Sequence, residues 1–196
     1  MISPKPRKMQ DRTAITRESL LRAAEKVFAQ RGYESALLAE IASASGFSKG
    51  ALYAHFKSKE DLFLALALAK AANLQANLSD ALNHAQTREA KIAAFRSFYI
   101  GLAADRQWAL LILEAKLFMT RHREVQEQLL EVENNLEGSV EQALVKLFGK
   151  SRRTSAKALG GIVAALVLES HLEPRAFTDR KIRAMLGVIF DSVLGI

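Results

Sequence analysis

The 196-residue sequence predicts an all-α fold of about nine helices. Apolar residues recur at i, i+3, i+4 through most of the chain, the spacing of one buried helix face. No alternating stretch is long enough to make a strand, and there is no internal repeat or low-complexity tract. The breakers Gly32, Gly46, Gly149 and Pro174 fall between apolar stripes, where helix ends belong. The expected architecture is an N-terminal three-helix unit containing a helix-turn-helix, followed by a larger helical region.

Residues 1–13 read as a flexible arm: Pro4 and Pro6 oppose helix, and Lys5, Arg7, Lys8 and Arg12 make it basic. It either adds backbone or minor-groove contacts to a nucleic acid or is a loose terminus. The first helix runs from near Arg17 to Arg31, with Leu20, Leu21, Ala24, Val27 and Phe28 on its buried stripe; Gly32 ends it and Tyr33 joins the core. The motif, residues 37–56, follows as LLAEIASASGFSKGALYAHF. Leu38, Ile41 and Ala42 share one face of its first helix. Gly46 makes the left-handed break, Phe47 anchors the turn, and Ser48 stands at the N-cap of a second helix whose Leu52 and Phe56 face inward. Ser58 and Asp61 have capping-box spacing and open a fourth helix. Leu62, Phe63, Leu66 and Leu74 give its apolar face, and neither Pro nor Gly interrupts it until well past Leu82.

Five further helices are expected at about 89–104, 105–120, 124–148, 154–172 and from Thr178 onward, with a charged loop at 149–153. The penultimate helix carries GGIVAALVL, and the last repeats Ile182, Met185, Leu186, Ile189, Phe190 and Val193 with a second apolar edge at Val188 and Leu194. A terminal helix pair that is apolar on more than one side favours a partner over burial within its own subunit. The expected division is an arm (1–13), a helix-turn-helix domain (14–74) and a helical domain (75–196).

Several function classes drop out. There is no cysteine, hence no disulfide, thiolate nucleophile or cysteine metal site, which fits a reducing, cytoplasmic setting. The longest apolar runs, such as Leu62–Ala69, are far short of the ~20 residues of a membrane span. The opening MISPKPRKMQDRT lacks the apolar core of a secretory signal. His55, His84, His122 and His171 are scattered without metal-ligand spacing, and neither a nucleophile elbow nor a phosphate-cradling glycine loop is present. An enzyme, a metal and a cofactor are therefore not expected.

Charge is informative. The net charge of +7 is concentrated at one end: residues 1–59 hold 11 Lys/Arg against 5 Asp/Glu, residues 60–196 hold 17 against 16. Excess positive charge on the segment with the helix-turn-helix is the footprint of a DNA-contacting module. The second motif helix also departs from what stability favours. Lys49 opposes the helix macrodipole at the first position, and Gly50 weakens the helix interior while permitting close approach of another surface. Tyr53 and His55 lie off the inward stripe, and Lys57 and Lys59 add cations just beyond. The ring of Tyr53 either packs in the domain core with its hydroxyl outside or stands free.

These residues carry a resemblance. TRESLLRAAEKVFAQRGYES (Thr16–Ser35) and IASASGFSKGALYAHFKSKEDLF (Ile41–Phe63) resemble the DNA-binding domain of the TetR family of bacterial transcriptional regulators, over a quarter to a third of the chain. SKGALYAHFKSKEDL is the specific part. The resemblance implies that the second motif helix enters the major groove, so that Ser48, Lys49, Gly50, Ala51, Tyr53, Ala54 and His55 lie on or beside the DNA-facing surface. Lys49 would contact a base or phosphate, and Tyr53, His55 and Lys59 phosphates. One departure is Ala36 and Leu37, where the family usually has Thr or Ser; Leu37 then retains only a backbone N–H for phosphate, with Ser35 as a substitute cap.

The resemblance further implies a homodimer formed by the last two helices, a double-stranded operator, and a small-molecule effector in the second domain. Candidate dimer residues are Gly161, Ala165, Leu168, Ile182, Met185, Ile189 and Phe190. Phe95, Phe98, Tyr99, Trp108 and Phe118 either line an effector pocket or form ordinary bundle core. Few charges interrupt those faces, which suits a lipophilic molecule. The expected function is thus a ligand-responsive repressor of a near-palindromic operator. An activator in the same fold remains open, as does a helical interaction or scaffold protein that has lost specific DNA binding.

Overall fold

The computed structural model describes residues 7–148 and 153–194, and every regular element within them is a helix. In order these are α1 (Arg7–Ser35), α2 (Leu38–Ser45), α3 (Lys49–His55), α4 (Lys59–His84), α5 (Arg88–Ala104), α6 (Arg106–Arg121), α7 (Arg123–Phe148), α8 (Arg153–Leu172) and α9 (Asp179–Leu194). Residues 1–6 of the expected arm and residues 149–152 of the expected loop lie outside the described residues. The chain divides into two units at Leu68/Ala69, within α4 and a little ahead of residue 74.

In the first unit the expected arm is corrected. α1 begins at Arg7, so residues 7–13 of the expected flexible arm are helical. A proline obstructs a helix only when it lies inside it, and none lies between Arg7 and Ser35. Gly32 marks the break: its φ of 73° lies in the region that favours glycine, and the chain turns there before α1 closes at Ser35. Beyond it Tyr33 folds back under the helix. Its ring stacks on Phe28 at 5.8 Å, and Phe63 of α4 meets both rings edge-on at 5.2 and 5.1 Å. Leu20, Ile41, Leu52, Phe56 and Leu62 are buried alongside, so each of the four helices contributes an inward face.

In the second unit α8 packs against α5, α6, α7 and α9. Its Leu159, Val163 and Val167 share one core with Phe95 and Tyr99 of α5, Leu144 of α7 and Leu186 of α9. Thr87 caps α5 by accepting from the Ala90 N–H at 3.1 Å. Asp105 both ends α5 and caps α6, accepting from the Trp108 N–H at 3.0 Å, which makes the corner between them tight. Arg88 Nε donates to the Leu147 carbonyl at 3.2 Å and ties the start of α5 to the end of α7. An Arg96–Asp191 ion pair joins α5 to α9.

Ile182 and Phe190, expected at a contact between subunits, are buried in this core. With Leu186 they recur every four residues and form the inward stripe of α9, whereas Met185 and Val188 lie on its exposed side. The helix is apolar on both faces, and spacing alone does not say which face turns inward.

No described helix is long and apolar enough to cross a membrane. Among the described residues no group of three or more His, Cys, Asp or Glu could hold a metal ion.

Candidate nucleic-acid interface

The helix-turn-helix is built by its caps. Leu37 is the N-cap of α2 with extended backbone (φ −105°, ψ 135°) and no side-chain capping bond; its carbonyl accepts from the N–H groups of Glu40 and Ile41 at 3.0 and 3.1 Å. Ser35 does not supply the expected substitute cap, because it is still the last residue of α1. α2 ends at Gly46, whose φ of 77° makes the left-handed C-cap and whose N–H bonds back to the Ala42 and Ser43 carbonyls. The Phe47 N–H closes the same turn on the Ala42 carbonyl at 3.0 Å. Ser48 then caps α3, its hydroxyl accepting from the Ala51 N–H at 3.1 Å. The hydroxyl proton stays available to an outside acceptor.

This geometry turns Leu52 wholly inward and presents Lys49, Gly50, Tyr53 and Ala54 as one exposed stripe of α3. Tyr53 is 49% exposed, so its ring stands free of the core. Gly50 has no internal reason to lack a side chain: a Cβ there would meet only the Ser48 hydroxyl, at an ordinary 3.7 Å. Its cost to helix stability is thus unexplained by the unit's own packing. Leu37 and Lys57 are exposed nearby, and Ala51 and His55 are half-buried, His55 with its ring 6.2 Å from that of Phe56. The expected capping box at the start of α4 forms with a shifted register. Ser58 Oγ accepts from the Asp61 N–H at 3.1 Å, while the Asp61 carboxylate accepts from the Lys57 N–H at 2.8 Å.

Lys59 is held within the unit. Its ammonium donates to the carbonyls of Tyr33, Glu34 and Ala36 at 2.9, 3.0 and 3.3 Å. The three N–H donors expected to meet a phosphate are all in use inside the unit. Pattern and charge give no warning of this, because the partners lie more than twenty residues away and are backbone atoms.

The segment that builds this surface also has known relatives. Residues 20–66 match the family described as bacterial regulatory proteins, tetR family. That likeness to the TetR family covers about a quarter of the chain. The TetR-family match begins in α1 and ends in α4, so it encloses α2, α3 and both of their caps. The transcriptional repressor AcnR of Corynebacterium efficiens is 40% identical over 70 residues, 36% of this chain and 37% of that protein. The activator FasR of Mycolicibacterium smegmatis is 38% identical over 99 residues, 50% of this chain and 45% of that one. The chain thus spans less than half the length of these curated relatives. Over nearly the whole length, the regulator FadR of Bacillus subtilis, solved with stearoyl-CoA, superposes with a TM-score of 0.69 at 21% identity, covering 91% of this chain and 98% of that one. At that identity the likeness speaks for the fold alone.

The residues expected to meet an effector are only partly brought together. Phe95 and Tyr99 are core: their rings lie 4.9 Å apart, and Phe190 approaches them at 6.0 and 5.7 Å. Burial pushes the Tyr99 phenol above its ordinary range and keeps it uncharged. Phe98 stands edge-on to Tyr99 at 5.5 Å, and Phe98 and Trp108 are half-buried against the same core. Phe118 lies outside that cluster, stacked on His122 at 4.2 Å. Of the expected dimer residues, Gly161, Ala165 and Met185 are exposed and Leu168 and Ile189 half-buried. The same helices also expose Ile162, Leu172 and Val188 at 38%, 65% and 70%. Leu172 continues the Gly161, Ala165, Leu168 spacing, a signal obscured because it is the last residue of α8.

Proposed function

We propose that this chain is a DNA-binding transcriptional regulator that acts as a homodimer on a near-palindromic operator, as a repressor released by a small lipophilic molecule. The observation that carries the reading is the exposed stripe of α3 on the basic end of the chain, with a glycine that internal packing does not require. Lys49 supplies a cation to phosphate or to a guanine edge, and the free Tyr53 phenol and Ser48 hydroxyl supply phosphate donors. His55 adds a half-buried ring, and Leu37 adds the backbone N–H at the head of α2. Gly50, Ala51 and Ala54 let the helix lie close to the groove, so sequence-dependent DNA shape contributes to specificity.

Each subunit places one α3 on one half-site, and the exposed apolar residues of α8 and α9 join the two copies. The effector sits in the second unit, beside the half-buried Phe98 and Trp108. A lipophilic molecule suits that apolar setting, and the stearoyl-CoA bound by the similar B. subtilis FadR supports an acyl-chain class. α4 runs unbroken from Lys59 to His84 across the division at Leu68/Ala69, which makes it the element that transmits binding. The setting is cytoplasmic, in keeping with a chain without cysteine. Both signs of regulation occur among the relatives, a repressor and an activator.

A paired substitution tests the DNA reading. Lys49→Ala with Tyr53→Ala is expected to weaken binding to a duplex recovered by the wild-type protein about tenfold or more, because both groups act in each half of the dimer. The slope of log affinity against log salt should become shallower by roughly 0.9 for each phosphate left without its cation. Equal affinity of both proteins would move the weight to the helical interaction protein, a reading that the exposed Leu37 in place of a hydroxyl favours.

A further inference from the structure

The cage around Lys59 joins the two ends of the helix-turn-helix. Ala36 immediately precedes Leu37, where the motif begins, and Lys59 opens α4 just after Phe56, where it ends. Between them lie α2, the Gly46 turn and α3. The carbonyls of Tyr33, Glu34 and Ala36 stand at or just beyond the end of α1, where helix carbonyls lose their own amide partners. An ammonium with three diverging N–H groups can satisfy three separate carbonyls at once. The Tyr33 ring lies 4.6 Å from the same nitrogen, and the next residue of α4 adds a second clasp, Glu60 Oε1 accepting from the Tyr33 hydroxyl at 3.0 Å.

We propose that Lys59 is a positioning residue, a staple that closes the helix-turn-helix on itself and fixes how α3 is presented to DNA, instead of a phosphate ligand. This rests on α3 being the DNA-facing helix. The chemistry of the cage specifies lysine. Arginine keeps the charge, but its flat guanidinium sends donors out in one plane and does not reproduce three contacts from a single atom. At a phosphate contact the same replacement would preserve the attraction.

The experiment compares Lys59→Arg and Lys59→Met with the wild-type protein and with Lys49→Ala. The first readout is hydrogen exchange of the backbone amides from Leu38 to His55 in the free protein. Both Lys59 variants are expected to exchange faster there, whereas Lys49→Ala exchanges as the wild type does. The second readout is affinity for a selected duplex across a salt series. Lys59→Arg should bind about tenfold more weakly with an unchanged salt slope, and Lys49→Ala should bind more weakly with a shallower one. Wild-type exchange together with full affinity in Lys59→Arg would overturn the staple. So would wild-type exchange in Lys59→Met with the salt slope reduced by about one per phosphate, the mark of a phosphate ligand. The exchange readout uses no DNA. If the wild-type protein selects no duplex, the DNA reading falls, and exchange alone decides whether Lys59 holds the motif.

Discussion

Phe63→Ala is expected to destabilise the first unit by about 3–5 kcal/mol, the usual cost of emptying a buried phenylalanine site. Phe63 has no solvent exposure and meets Phe28 and Tyr33 edge-on at 5.2 and 5.1 Å. Those two rings stack on each other, so the cavity would open beneath both. Small units have little stability to spare, because they bury a smaller fraction of their surface than large ones. Tyr33 also lies under the Lys59 ammonium and bonds to Glu60, so loosening its ring slackens the clasp on the helix-turn-helix. Urea denaturation followed by circular dichroism, with the same samples assayed on DNA, checks the expectation. The unit should lose most of its stability and DNA binding should go with it. A destabilisation below about 1 kcal/mol would mean that the aromatic trio is not the keystone of this unit.

Val188→Asp is expected to leave the subunit folded and to raise the dissociation constant of the dimer about a hundredfold or more. In the single subunit Val188 is 70% exposed and Met185, on the same side of α9, 40%. An aspartate at this position therefore costs the isolated subunit little. In the proposed dimer the same position is covered by the partner, and an unpaired buried charge costs about 3–5 kcal/mol; two-fold symmetry introduces it twice. Light scattering at micromolar concentration should report a monomer with wild-type helix content. Phe190→Ala is the internal contrast, since Phe190 is fully buried in the subunit core and its removal should unfold the unit. A Val188→Asp protein that remains dimeric would place the interface elsewhere.

These two residues also show where the sequence is legible. Helices are readable because each needs a continuous apolar stripe and a break, and both are local properties. Gly46 and Ser48 announce the turn and the cap by residue type, and the structure has a left-handed φ at one and a capping hydroxyl at the other. The face that a helix buries is less local. α9 is apolar on two sides, so Ile182 and Phe190 are indistinguishable from Met185 and Val188 until α5 and α8 are seen to cover one side. The start of α1 departs from expectation because the prolines ahead of it suggest a flexible arm, although the helix begins after both.

The α3 surface is readable from residue chemistry. The exposure of Tyr53 resolves the alternative that its ring belongs to the core. Lys59 is the reverse case. A cation at the first position of a helix near other cations suggests phosphate, and only the path of the chain past Gly32 brings three carbonyls to it. The aromatics of α5 are ambiguous for a physical reason as well. A bundle core and a lipophilic pocket demand the same side chains and differ only in whether the space between them is filled.

Selection from a pool of random duplexes on the purified protein tests the proposal that α3 reads DNA as one of a symmetric pair. An enriched sequence with two-fold symmetry is expected, its half-sites about 34–36 Å apart or a multiple of that spacing. Binding to it should fall steeply with salt and weaken about tenfold or more in the Lys49→Ala, Tyr53→Ala protein. A pool that remains random, bound weakly and equally by both proteins, would contradict the claim.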